Sequence, residues 1–281
     1  AKAMLFEWPS LTHAVINVDD AAGRRLLPQL ARRGVRVTGF SAGDVAYECE
    51  LDVRLAARDI RATREGLAFT LVNDAEAVPV AIPLVGQFNV ANLLGVVGVS
   101  LACGITFERA VASLPLLMPP AGRMQRVQSA GGPLAIIDYA HTPDALTQAI
   151  AALRPLVQQR GGRLWVVFGA GGDRDAGKRA PMGAAAAAAD VVIVTSDNPR
   201  TEDPQRIVAE VAAGAKAAGE LLTIVERAAA IEKAIGAAAN ADVVLIAGKG
   251  HEDYQIVGAE KRPFSDVEHA RLALARREAK A

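Results

Sequence analysis

Hydrophobic and polar positions follow one rhythm in the second part of this chain and another in the first. From residue 121 onward, short apolar runs at Leu134–Ile137, Leu164–Phe168, Val191–Thr195, Leu221–Val225 and Val243–Ala247 are separated by stretches of helical periodicity. The helices predicted between and after them are Pro143–Arg160, Pro181–Ala189, Gln205–Ala218, Ala228–Ala238 and Asp266–Ala279. An uninterrupted apolar run fits a strand buried on both faces, as parallel strands are. Strict alternation with helical crossovers predicts an α/β fold with a doubly wound parallel sheet. The six alanines at 184–189 read as a helix packed closely on that sheet.

The first 120 residues are less regular. Ala1–Trp8 reads as the end of a helix stopped by Pro9, so the chain is expected to start within a domain. A strand at Ala14–Val18 precedes a helix at Ala21–Arg33, with Leu26, Leu27 and Leu30 on one face and Gly34 closing it. Short strands follow at Val35–Phe40, Tyr47–Leu55, Asp59–Thr63 and Ala68–Leu71, the last before a turn at Asn73-Asp74. They predict a mixed or antiparallel edge on an α/β core. Gly86-Gln-Phe-Asn-Val-Ala-Asn92 enters an apolar helix, and Phe107–Leu114 is another. Three prolines and a glycine between Pro115 and Gly122 mark a linker, which divides the chain into domains 1–120 and 121–281.

Composition narrows the partners. The 31 basic and 31 acidic side chains cancel, leaving no footprint for nucleic acid or anionic lipid and favouring small molecules. Cys49 and Cys103 have no disulfide-scaffold or zinc spacing, which fits a reducing, cytoplasmic compartment. The longest apolar stretch, Val90 to Ile105, falls short of the ~20 residues that cross a bilayer, so no membrane insertion is expected. No basic segment followed by an apolar core opens the chain, so no signal peptide is read.

In an open α/β sheet, ligands bind beyond the carboxyl ends of the strands. Four of the predicted strands end in polar clusters: Asp138-Tyr-Ala-His141, Gly169-Ala-Gly-Gly-Asp-Arg-Asp175, Ser196-Asp-Asn-Pro-Arg200 and Gly248-Lys-Gly-His-Glu252. A ligand rich in phosphate and carboxylate would suit the edge that collects them. The glycines at 169–172 imitate a dinucleotide turn, but Arg174 holds the third glycine position. Gly172-Asp-Arg-Asp-Ala-Gly-Lys178 has the spacing of a Walker A loop, yet Arg179 stands where a hydroxyl should meet magnesium. Lys178 and Arg179 therefore read as solvated. His13, His141, His251 and His269 share no metal-ligand spacing, and His13 and His269 read as surface histidines.

Gly86–Asn92, Gly122-Arg-Met124, Asp138-Tyr-Ala-His-Thr-Pro-Asp144, Gly169–Arg179, Asp197-Asn-Pro-Arg200 and Gly248–Glu252, taken in order, resemble the Mur ligase family. The likeness runs from residue 2 to the last strand. It implies the later half of a central ATPase domain, followed by a Rossmann-like ligase domain that brings the amino acid. It also implies that an N-terminal domain and the phosphate loop of the central domain are missing, so that the chain alone is inactive. Within the family, Asp197–Arg200 with Gly248–Glu252 resembles the members that add meso-diaminopimelate to UDP-N-acetylmuramoyl-L-alanyl-D-glutamate, through an acyl phosphate and with ATP and Mg²⁺. Other ligases of the same superfamily and a non-catalytic ligand-binding piece are the alternatives.

The resemblance also implies roles. Lys2 matches a lysine that is carbamylated and holds magnesium; its alternative is an ordinary helix lysine. Asn89 and Asn92 match the adenine contact, against a capping or buried polar role. Arg123 and Asp138 would hold the nucleotide, and His141 would stand near its γ-phosphate; Thr142 and Pro143 suit the start of a helix. Arg174, Asp197, Asn198, Pro199, Arg200, Gly248 and Glu252 match the amino-acid site. In it Arg200 would take the distal carboxylate, and Asn198 and Glu252 the distal ammonium. An Asn-Pro turn after a strand is the plainer reading of Asp197–Arg200.

Overall fold

The computed structural model describes residues 2–43, 51–74 and 76–280, without the side chain of Lys2. The chain divides into two compact units, Ala1–Met118 and Pro119–Ala281.

The first unit opens with a 3₁₀ turn, Lys2–Glu7, where the sequence reads as a helix end. Its sheet has the order β1 (His13–Asn17), β2 (Arg36–Ser41), β3 (Val53–Thr63), β4 (Gly66–Asn73), β5 (Glu76–Ile82). β1, β2 and β3 are parallel, whereas β4 and β5 run antiparallel to their neighbours. The expected mixed sheet is therefore present, but it is divided differently. The two strands predicted at Tyr47–Leu55 and Asp59–Thr63 meet in one long β3, irregular between Arg58 and Arg61, where Asp59 takes φ +53°. Residues 47–50 of the first predicted strand, Cys49 among them, lie outside the described residues. β5 has no counterpart in the sequence reading because Pro79 interrupts its apolar run. At a sheet edge, proline's missing N–H is tolerated. Among the described residues, three α-helices complete the unit: α1 (Ala21–Arg32), α2 (Phe88–Ala102) and α3 (Phe107–Ser113). Leu93, Leu94 and Val97 of α2 and Phe107 of α3 bury against Leu55, Phe69, Leu71 and Ile82 of the sheet.

The second unit holds a six-stranded sheet assembled from β6 (Gln125–Val127), β7 (Leu134–Asp138), β8 (Leu164–Phe168), β9 (Val191–Val194), β10 (Glu220–Thr223) and β11 (Val243–Ala247). Their order is β10-β9-β8-β11-β7-β6. All pairs are parallel except the edge pair β6 with β7. Helices α4 (Pro143–Arg160), α5 (Arg179–Ala186) and α6 (Pro204–Gly214) form one series, and α7 (Arg227–Ala237) and α8 (Asp266–Glu278) another. Ala135, Ile137, Trp165, Val167, Ile193, Val244 and Ile246 share a core with α7 and α8. The alternate residues Leu134, Ile136, Val166, Phe168, Val192 and Leu245 are equally buried. Because successive strand residues face opposite sides, helices must cover both faces of this sheet, which is the predicted doubly wound α/β arrangement.

The alanine-rich helix corrects one expectation. α5 covers only the first part of the alanine run, and its closest approach is to α6 rather than to the sheet: a Cβ on Gly183 would stand 2.1 Å from the Val211 carbonyl, and one on Gly214 1.9 Å from that of Ala180. Small residues let the two backbones touch. A hairpin, β12 (Tyr254–Val257) with β13 (Glu260–Pro263), was also absent from the sequence reading. All four β13 residues are exposed and two of them are basic, so no apolar run marks it.

Candidate functional site

The chain returns from β10 to insert β11 between β8 and β7, so the strand order reverses there. Such a switch point is where a crevice opens beyond the strand ends. The four polar clusters read from the sequence follow four consecutive strands, β9, β8, β11 and β7, at this single rim.

Two glycines close the rim on its β8 side. A Cβ on Gly169 would lie 2.3 Å from the Thr195 carbonyl oxygen, and one on Gly172 1.9 Å from that of Pro199. The glycine-rich segment therefore exists to lay the β8 loop directly on the Asp197–Arg200 loop, which explains its likeness to a dinucleotide turn. Arg200 sits at φ +52°, an uncommon conformation for a residue with a Cβ. It is held there by hairpin β12–β13: its N–H donates to the Ile256 carbonyl at 3.1 Å, and its own carbonyl accepts from the Gly258 N–H at 2.7 Å. Its guanidinium donates through Nη1 to the Gly172 carbonyl at 2.8 Å. That bond leaves Nε and Nη2, the paired donors that suit a carboxylate, without a partner among the described residues. Arg174 is exposed, with its stem beside Gly171 and so next to the Arg200 guanidinium.

Across the rim lies a group of buried charges. Lys249, fully buried, places Nζ 3.0 Å from Asp197 Oδ1 and 3.6 Å from Glu252 Oε2. The same ammonium donates to Asn198 Oδ1 at 3.0 Å and to the Tyr254 carbonyl at 2.7 Å. Asn198 Oδ1 also accepts from the Ile256 N–H at 3.0 Å, while its Nδ2 donates to Glu252 Oε2 at 3.2 Å. Pro199 completes the loop, and Gly248, at φ +116°, turns the chain out of β11 past Asp197 Oδ2. The sequence reading passed over Lys249. A lysine between two glycines looks solvated, and only its zero exposure reveals otherwise.

The β7 end carries the remaining candidates of this unit. Both oxygens of Asp138 already accept backbone N–H groups, Met124 and Ala140, each at 2.9 Å. Asp138 thus ties the turn bearing Arg123 to the strand end, and any ligand hydroxyl would use its remaining lone pairs. Gly122 and Gly250 interlock behind that turn, since a Cβ on Gly122 would stand 2.1 Å from the His251 nitrogen. Arg123 lies over the Tyr139 ring at 5.0 Å, and the His141 ring meets the same tyrosine edge-on at 4.7 Å. His141 Nδ1 lies 2.8 Å from the Tyr139 carbonyl. A carbonyl only accepts, so in the neutral ring the proton sits on Nδ1 and Nε2 is free to accept. Thr142 caps α4 with Pro143 in its first turn, as expected.

Arg179 corrects the expectation of a solvated residue. It is 1% exposed, its two terminal nitrogens each 2.7 Å from a carboxylate, Glu210 and Glu202. Lys178 is half-buried and donates to the His141 carbonyl at 3.1 Å. Glu202 also accepts the Asp173 N–H at 2.6 Å, so Arg179 braces the loop that follows Arg200. Hydrogen bonds from Arg179 hold the Glu202 and Glu210 carboxyls below the usual glutamate range, helped by the Asp173 amide and by Arg206 respectively. Carboxyls depressed in the folded state stabilise it above their unfolded pKa, about 4.3, and that contribution is lost as pH falls through the lower folded values. Thermal unfolding followed from neutral pH downward should therefore show the melting temperature dropping below about pH 4, with a shallower slope in Arg179→Met. Parallel slopes would detach the network from acid stability.

In the first unit, Asn89 lies within the first turn of α2 rather than capping it, and Gln87 is the capping position. Asn89 Nδ2 donates to the Val85 carbonyl at 2.7 Å, and Asn92 Nδ2 to Asn89 Oδ1 at 3.2 Å. The two amides thus form a linked pair at the helix start. Lys2 begins the N-terminal 3₁₀ turn. No helix among the described residues is long and apolar enough to cross a membrane.

Residues 1–100 match the Mur ligase middle domain, and residues 122–250 match the Mur ligase glutamate ligase domain. The UDP-N-acetylmuramoyl-L-alanyl-D-glutamate--2,6-diaminopimelate ligase of Janthinobacterium sp. (strain Marseille) is 49% identical over 280 residues, which are 99% of this chain and 55% of the relative. The enzyme of the same name from Ralstonia nicotianae is 50% identical over 279 residues, 99% of this chain and 54% of the relative. A solved structure bearing that name superimposes with a TM-score of 0.76 at 37% identity, covering 99% of this chain and 56% of the other. The chain spans about half the length of the curated relatives it matches. With successive domains matched in order over nearly its whole length, the chain belongs to the Mur ligase family.

Proposed function

We propose that this chain is the amino-acid-binding half of an ATP-dependent ligase that joins meso-diaminopimelate to UDP-N-acetylmuramoyl-L-alanyl-D-glutamate in peptidoglycan synthesis. The observation that carries this reading is the pairing, at one rim, of an Arg200 guanidinium with open donors and two carboxylates, Asp197 and Glu252, that outnumber the one lysine between them. A ligand bearing both a carboxylate and an ammonium at its far end satisfies both. The names of the most similar relatives support the same substrate.

In this reading Arg200 takes the distal carboxylate with help from Arg174, and Glu252, Asn198 and Asp197 take the distal ammonium. Pro199 and Gly248 shape the turns that carry them. Arg123 and Asp138 hold the nucleotide, and His141 offers Nε2 toward its terminal phosphate. Asn89 and Asn92 serve the adenine. Among the described residues no three His, Cys, Asp or Glu side chains come together to hold a metal ion. A carbamylated Lys2 would supply an oxygen ligand to a magnesium ion. The glutamyl carboxylate oxygen would take the γ-phosphoryl group of ATP with release of ADP. The amine of the bound amino acid would then attack the acyl carbon, give up a proton and expel inorganic phosphate; bound magnesium would supply positive charge beside the phosphates.

The expected outcome is no ATP-dependent phosphate release from these 281 residues alone, and diaminopimelate-dependent release from a protein of the relatives' full length. Phosphate release assays on both decide the matter. Turnover by the isolated chain would show that it needs no further part, and release from the longer protein that is independent of diaminopimelate would remove the substrate.

A further inference from the structure

We infer that Lys249 is a positioning residue that presets the amino-acid pocket by fixing which way the Asn198 amide points and which carboxylate oxygens are left for the ligand. The ligand's identity in this inference rests on the function proposed above; the preset itself does not.

Lys249 is fully buried, although a buried ammonium is stable only when its charge is matched and its donors find partners. Asp197 and Glu252 match the charge, and Asn198 Oδ1 and the Tyr254 carbonyl accept its hydrogen bonds, from the β9 end, the β11 end and the start of β12. Because Lys249 and the Ile256 N–H both donate to one side of the Asn198 amide, that side must be oxygen, and Nδ2 is forced toward Glu252. Glu252 Oε2 is thereby engaged, while its Oε1 and both oxygens of Asp197 accept no hydrogen bond from the described residues, Asp197 Oδ1 meeting Lys249 as an ion pair alone. Behind them, Arg227 and Asp266 neutralise one another at 2.8 Å with no exposure. This cluster of Asp197, Glu252 and Lys249 therefore keeps one uncompensated negative charge and carboxylate oxygens that accept no hydrogen bond, an arrangement for a cationic group. Without Lys249, the Asn198 amide would be free to rotate, and Asp197 and Glu252 would lose their common counter-charge.

Two measurements on the ¹⁵N-labelled 281-residue chain test this, with Asn198→Asp locating the side-chain amide signal. In Lys249→Met, exchange of the Asn198 side-chain amide with water should quicken by about tenfold or more, reflecting loss of a charged hydrogen bond. Meso-diaminopimelate affinity, read by shift titration, should weaken about tenfold or more in Lys249→Met and in Asn198→Ala. The double variant should be no worse than either single one, because both act through the same amide. A purely structural lysine would give additive losses. Additive losses, or unchanged amide exchange in Lys249→Met, would overturn the inference. Should Lys249→Met not fold, Asn198→Asp decides, since it keeps the oxygen that faces Lys249 and replaces the donor that faces Glu252. Unchanged diaminopimelate affinity in that variant would equally overturn it. Failure of the parent chain to bind diaminopimelate would count against the proposed substrate, while the amide exchange would still decide the role of Lys249.

Discussion

Arg200→Ala in the full-length protein is expected to raise the KM for diaminopimelate by roughly thirtyfold to several thousandfold, with the KM for ATP nearly unchanged. Removing one member of a desolvated, hydrogen-bonded charge pair costs about 2–5 kcal/mol, and each 1.4 kcal/mol is a factor of ten. The backbone contributes little to this difference. Both residues carry a Cβ, so the φ of +52° at this position is as uncomfortable for alanine as for arginine, and the two bonds to hairpin β12–β13 are made by main-chain atoms. Arg200→Lys should recover only part of the loss, because an ammonium cannot offer two parallel donors. Steady-state kinetics with each substrate varied in turn measure the effect. A comparable rise in both KM values would remove Arg200 from the diaminopimelate site.

A large loss of stability is expected from Arg227→Met. Arg227 and Asp266 have no side-chain exposure and meet in two bonds of 2.8 Å, Arg227 Nε to Asp266 Oδ1 and Nη2 to Oδ2. Nη2 also donates to the Ala247 carbonyl at 2.9 Å, so the pair joins the first turns of α7 and α8 to the end of β11. Removing the arginine strands a buried carboxylate at a cost of about 3–5 kcal/mol. For a unit of this size each kcal/mol moves the melting temperature by roughly 2–4 °C, so calorimetry should show a fall of roughly 6–20 °C. Replacing both partners with apolar residues of similar volume, Arg227→Met with Asp266→Leu, should recover much of the loss, since no charge is then left unpaired. A small shift in the single variant would mean that water reaches Asp266 when the arginine is gone.

Arg227 also marks the boundary of what a sequence conveys. Its neighbours Ala228, Ala229 and Ala230 announce a helix, but nothing nearby announces that Asp266, thirty-nine positions later, will meet it in the interior. Lys249 and Arg179 were hidden in the same way. Charged side chains beside glycine or another charge read as solvated, and only long-range pairing makes their burial stable. Hairpin β12–β13, which holds Arg200 in its unusual conformation, lacks the alternating apolar pattern that would have exposed it.

The sequence by itself determined the doubly wound α/β order of the second unit, because an uninterrupted apolar run is stable only where both faces are covered, and it showed that four of the five runs end in polar clusters. It also carried the family likeness through those clusters. What only the tertiary structure decided was the strand order that places the β9, β8, β11 and β7 ends side by side, and the buried pairing of Lys249, Arg179 and Arg227. Apolar burial is written locally, residue by residue. The partner of a buried charge is chosen by the folded chain, across distances along the polypeptide that no local pattern spans.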